Sequence, residues 1–263
     1  MEVAMPSFLS KVFISVSSIA AASALMLSGS GCADALVYAK DAHNQGMELY
    51  NEGDYADAAG AFENATRQDP RDYSSYYYLG ACYDQMHDYR EAISAYHSSL
   101  DVMGLTLAGQ HDQATRDRAL DALAGSIAHS PSVGVETVAM EQKCKANPTD
   151  VEDQWLLAKV YRYSGDADAA VDAYNKAVLV GSKKFALTKE AGMYEESLGQ
   201  TQRATFALRQ ANAVNPDDPQ VTAALHRLGV TPGMTVKDDR DLAASPAFSS
   251  TAAQPASLQV PRE

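Results

Sequence analysis

The 263-residue chain is short of cysteine, tryptophan and basic residues, and each shortage closes off a class of protein. Three cysteines, Cys32, Cys82 and Cys144, are too few for a small fold stapled by disulfides, and their odd number leaves at least one without an intramolecular partner. Lys and Arg number 21 against 34 Asp and Glu, so the formal charge is -13, which opposes attraction to phosphate backbones; nucleic acid is not an expected partner. The six histidines, His43, His87, His97, His111, His129 and His226, form no HExxH pair, and no glycine-rich phosphate loop or Gly-x-Ser-x-Gly elbow is present. No metal or cofactor is therefore expected, nor is direct catalysis. The acids cluster at links, as expected of caps and solvated faces: Asp217 and Asp218 read as a helix start. A hydrophobic fraction of 46% excludes a wholly disordered chain.

The one sustained apolar stretch, from Val12 to Leu27, follows the single base Lys11 and ends at Ser28-Gly29-Ser30-Gly31-Cys32. At about 1.5 Å per residue it falls short of a bilayer core of roughly 30 Å but suits the apolar region of an export signal. Residues 1-31 are read as a signal sequence. The stretch resembles a bacterial lipoprotein signal, in which a small residue precedes a cysteine that becomes lipidated. The resemblance implies that Cys32 is that residue and that the protein is held at a membrane, with residues 32-38 as a short linker. Cleavage by ordinary signal peptidase near Gly31 or Ala35, or an uncleaved anchor, are the alternatives.

Beyond the linker, residues recur at a spacing of 34. Gly80 follows Gly46, Tyr89 follows Tyr55, Ala92 follows Ala58, and Tyr96 follows Phe62. Each block reads as two helices. Ala58, Phe62 and Ala65 fall at i, i+4 and i+7 and so share one face, while Gly53-Asp54 and Asp69-Pro70 punctuate the links. These blocks resemble tetratricopeptide repeats, a helix-turn-helix family of 34-residue period. The resemblance covers 39-72, 73-106, 151-184 and 185-218, with a helix at 219-229 as a cap. In the last repeat Leu208 replaces the ring and Tyr194 is displaced by one place. Residues 107-150 read as an atypical repeat, with helices over 110-128 and 135-145 and an enlarged link around His129 to Ser132; a helical hairpin separating two independent repeat pairs is the alternative. The expected fold is all-α: a superhelical, solenoid-like stack of antiparallel helix pairs, continuous over 39-230. From residue 231 onward Pro, Ala and Ser dominate, and a disordered tail is expected.

In the resembled family the first helices line a groove that meets a protein or peptide. Carried onto this chain, its contact positions give Tyr50, Tyr77, Trp155, Arg162 and Tyr163 as candidate partner-binding residues. Trp155 also reads as core, since it is displaced by one place from the family's aromatic. The Lys and Asn pattern with which some members clamp a terminal carboxylate is not reproduced. Cys82 reads as a packed thiol, with a Cys82-Cys144 disulfide as an alternative. The expected function is an exported protein-interaction scaffold of the bacterial cell envelope, tethered through lipid on Cys32. A structural oligomeric adaptor and an accessory to envelope glycan-processing enzymes remain as alternatives.

Overall fold

The computed structural model describes residues 30-105 and 113-231; of residues 30-35 only the backbone is described. Most of the signal sequence and nearly all of the tail therefore lie outside the described residues, as does the side chain of Cys32. The described chain contains eleven helices and no strand, as the 34-residue periodicity predicts. They divide between two compact units, Met1–Gln110 and His111–Glu263.

The first unit holds α1 (Ser30–Glu52), α2 (Tyr55–Gln68), α3 (Tyr73–Gln85) and α4 (Tyr89–Leu105). α1 corrects the expected linker: nothing after Gly31 breaks a helix, and the segment 32-38 continues directly into the first repeat. α1 packs on α2 and α3 on α4, while α3 also lies against α2. Within each hairpin a glycine of the first helix faces a large side chain of the second. A Cβ on Gly46 would come within 2.7 Å of the Phe62 ring, and one on Gly80 within 2.8 Å of the Tyr96 ring. The absent side chain is what lets the two backbones approach with a buried ring between them.

The second unit holds α5 (Gln113–His129), α6 (Val133–Ala146), α7 (Val151–Ser164), α8 (Ala167–Val180), α9 (Phe185–Ser197), α10 (Thr201–Val214) and α11 (Pro219–Arg227). α7 pairs with α8 and α9 with α10. Leu208 takes the ring's place against Gly192, lying 2.5 Å from where a Cβ would stand. The atypical segment departs from expectation twice. Its helices are joined by only residues 130-132, and α5 packs mainly on α7 rather than on its sequence neighbour α6. Burial explains the second departure: α5 buries Leu120, Leu123 and Ile127, whereas Cys144 is the one residue α6 buries.

Carboxylates begin several helices. Asp72, Asp150, Asp166 and Asp218 each accept a backbone N–H of the first turn, satisfying donors that the helix leaves open. Left-handed residues end the first helices, at Gly53, Gly165 and Gly199 and, at the corresponding place in the second repeat, His87 with φ 62°. A Cβ in that conformation costs roughly 1–2 kcal/mol. His87 recovers part of this through a 2.9 Å hydrogen bond between its Nδ1 and the Tyr89 hydroxyl. His87→Gly should therefore raise the unfolding free energy by up to about 1 kcal/mol in urea melts. A loss of stability would show that the imidazole contact outweighs the backbone strain.

Candidate functional site

The first helices of the first unit bring together the two tyrosines expected there, on a surface built largely from rings. Tyr50 and Tyr77 are both half-buried. Tyr78, which the sequence reading did not single out, lies between them. Ring centroids run from Tyr55 to Tyr50 at 5.4 Å, to Tyr78 at 5.6 Å, to Tyr77 at 5.3 Å, and on from Tyr77 to Tyr96 at 5.7 Å. Most of these contacts are edge-to-face, the arrangement the ring quadrupole favours. Tyr78 also stacks on Phe62 at 5.7 Å, so the ring ribbon rests on the side chain that fills the Gly46 contact. Burial, followed by the neighbouring Cys82 and tyrosines, pushes the Tyr50 hydroxyl pKa up, and Tyr50 therefore stays neutral at any physiological pH. One end of the same unit carries a short chain of polar groups: Ser75 donates to Asp72 at 2.5 Å, and His43 Nδ1 lies 2.8 Å from the Ser75 hydroxyl. Ser75 is fully buried at the start of α3, and this Ser, His and Asp set ties that helix start to α1.

The second unit gathers Trp155 and Arg162 around one carboxylate, Glu190, and Tyr163 on a second, Asp121, neither of which the sequence revealed. Glu190 accepts from Trp155 Nε1 at 3.0 Å and Lys159 at 2.6 Å through one oxygen, and from Arg162 at 2.8 Å and the Tyr174 hydroxyl at 2.6 Å through the other. Lys159, only 4% exposed in its side chain, also reaches Asp121 at 2.7 Å. Asp121 in turn accepts from Tyr163 at 2.6 Å. Burial alone would raise the Asp121 pKa, but the hydrogen bonds from Lys159 and Tyr163 hold it below its ordinary value. Lys159 and Lys184 approach the Trp155 ring at 4.8 Å and 4.6 Å. Farther along, Arg116 clamps Glu152 through two hydrogen bonds of 2.7 Å and 2.5 Å, lowering the pKa of that carboxyl.

Trp155 is 1% exposed and so forms core, which corrects its assignment as a partner contact. Its indole N–H is turned toward Glu190, to which it donates. Arg162 is half-buried and Tyr163 is 37% exposed, so both keep accessible surface while bonded within the unit. Both buried cysteines are free thiols, contrary to the disulfide alternative, and burial pushes Cys82 up to about 12. Among the described residues no group of three or more His, Cys, Asp or Glu is placed to hold a metal ion.

The paired-helix fold and the ring-lined and charge-lined first helices define a helical-repeat protein-interaction module. The tetratricopeptide repeat family matches residues 43–101 and again residues 154–180, so the chain carries tetratricopeptide repeats in both units. No curated protein matches the sequence. Several solved structures are similar at low identity. YrrB, described as a TPR protein with an unusual peptide-binding site, shares 16% identity over 72% of this chain and 91% of its own, with a TM-score of 0.35. MamA from Desulfovibrio magneticus RS-1 shares 15% over 69% of this chain and 97% of its own, with a TM-score of 0.37. PilW, described as a widely conserved type IV pilus biogenesis factor, shares 12% over 80% and 96%, with a TM-score of 0.38.

One group in the second unit breaks the rule that buried polar atoms are paired. Glu195 is 0% exposed, and neither carboxylate oxygen has a hydrogen-bond partner. It occupies the register position that holds Tyr83 and Tyr161 in earlier repeats, whose hydroxyls donate to Glu63 and Glu141 on the preceding helix. Desolvation raises its pKa to about 8, against a weaker pull from Arg203, which is itself paired with Asp172 at 3.3 Å. An unfolded Glu titrates near 4.3. The folded state thus binds a proton that the unfolded state has released, and stability should fall as pH rises from about 4.5 to about 8, then level off. Glu195→Gln should flatten that part of the pH profile in thermal melts and be more stable than the parent at pH 8. An unchanged slope would show that other groups set the profile.

Proposed function

We propose that this protein is an exported interaction module of the bacterial cell envelope, tethered by lipid on Cys32, that recruits a protein or peptide through the inner faces of its repeats. The observation that carries this reading is the ribbon of half-buried tyrosine rings in the first unit. Rings supply contact area at low conformational cost and are the residues most often found at the energetic centre of a protein interface. Tyr50 and Tyr77 form the main contact in this reading, with Arg162 and Tyr163 contributing a second contact in the other unit. The export signal and Cys32 context support an envelope location.

A structural adaptor role has an observation of its own. On α6, Val135 is 74% exposed and Val138 54% exposed, and with Ala139 they form an uncovered apolar stripe at helical spacing. Self-association through α6 would make the assembly itself the function, and it would appear as concentration-dependent mass in sedimentation.

The direct test is in-cell photocrosslinking from positions 50, 77 and 163, with Lys176 on the exposed side of α8 as control, together with intact-mass analysis of the amino terminus. Discrete adducts from 50 and 77 but not from 176, with lipid mass on Cys32, are expected. Equal labelling at all four positions would contradict groove recruitment, and an unlipidated product would contradict the tether.

A further inference from the structure

Leu36, Val37 and Tyr38, one turn after Asp34 in the first part of α1, are exposed apolar side chains that nothing among the described residues covers. Ala39 and Ala42 are buried where the helix meets the rest of the first unit, but one turn earlier Leu36 is 56% exposed, Val37 59% and Tyr38 63%. Three consecutive residues on a helix point in directions about 100° apart, so these side chains occupy more than half of the circumference. The pattern differs in kind from the α6 stripe. A stripe suits a groove on one partner, whereas three successive exposed apolar side chains spread over more than half of the circumference are matched by immersion in an apolar medium. Polar residues resume immediately: Lys40, Asp41 and Asn44 are exposed.

The position of this tip supplies the occupant. Tyr38 lies six residues after Cys32 on the same helix, a rise of about 9 Å. Interfacial helices bury their apolar side chains roughly 5–10 Å into the boundary between headgroups and acyl chains. Tyr suits that depth, with an apolar ring and a hydroxyl that can reach water. We propose that Leu36, Val37 and Tyr38 insert into the interfacial layer of a lipid bilayer and form a second membrane attachment beside the lipid on Cys32. The inference rests on the tethered reading, and adds to it that α1 enters the membrane surface rather than hanging from a slack linker. Residues 36-105 carry twelve Asp and Glu against four Lys and Arg, so the insertion must be apolar, since anionic headgroups would repel this unit.

The test uses the full chain as processed by a lipoprotein-competent bacterial host, bound to vesicles of phosphatidylcholine with and without brominated acyl chains. Trp155 is buried and serves as an unquenched background, so Val37→Trp and Asn44→Trp report the tip and the next turns. Selective quenching of Val37→Trp by brominated lipid is expected. The triple variant Leu36→Ser, Val37→Ser, Tyr38→Ser should lose roughly tenfold or more in vesicle partitioning, with an unchanged helical circular dichroism spectrum. An unquenched Val37→Trp overturns the proposal, including the case of a blue-shifted, concentration-dependent emission that would signal a second copy on the tip. Intact mass of the same sample separates the two claims. Lipid on Cys32 without quenching removes the insertion and keeps the tether, whereas quenching without lipid keeps the insertion and removes the tether.

Discussion

The close contact between a small residue of each first helix and a large side chain of the second is the constraint on which the remaining structure depends. Gly46 with Phe62, Gly80 with Tyr96 and Gly192 with Leu208 recur at one spacing, and Ala158 with Tyr174 holds the same places in the repeat between. Each buried ring or Leu is fixed by a backbone that approaches to contact distance, so it cannot be enlarged or shifted without moving a helix. That fixed pair then sets the direction of the first helix's other faces. Tyr78 stacks on Phe62, and Tyr77 leans on Tyr96, so the exposed part of the ring ribbon inherits its position from the buried contacts.

The two units use different chemistry on corresponding surfaces. The first presents rings with few charges among them, and it is held by apolar and edge-to-face contacts. The second presents charges that satisfy one another, with Glu190 and Asp121 neutralising Lys159 and Arg162, and with Lys189 tied to Asp218 and Glu196 to Arg227. Such networks contribute little net stability once the cost of removing charges from water is counted, but they fix geometry and penalise misplacement. A partner meeting the second unit must compete with bonds already made. One meeting the first gains ring area directly.

The fold was readable because its determinants are short-range and periodic. Glycine, alanine and ring positions repeat at 34 residues, and the aspartates that open helices stand next to the turns they cap. The site was readable only in part. Register placed Tyr50 and Tyr77 on the correct helices, but it could not show that Trp155 turns inward, because its orientation is set by Glu190, 35 residues away. Tyr78, Asp121 and Lys184 escaped notice for the same reason: each gains its role from a neighbour on another helix. The Glu195 substitution had a usable signal, since it breaks the tyrosine series of Tyr83 and Tyr161. The behaviour of α6 also had one, since its apolar residues are scattered around the helix instead of gathering on one face as those of the other helices do.

A double-mutant cycle between Gly80 and Tyr96 tests the wedge most directly. Gly80→Ala should cost about 1–3 kcal/mol in the parent, as its methyl group meets the Tyr96 ring. In a Tyr96→Ala background it should cost nothing or stabilise slightly, as alanine does in an unobstructed helix. A coupling energy above about 1 kcal/mol is the result the account predicts. Additive effects would contradict it, and would mean that the helix pairs, and the ring surface they carry, are held by something other than this contact.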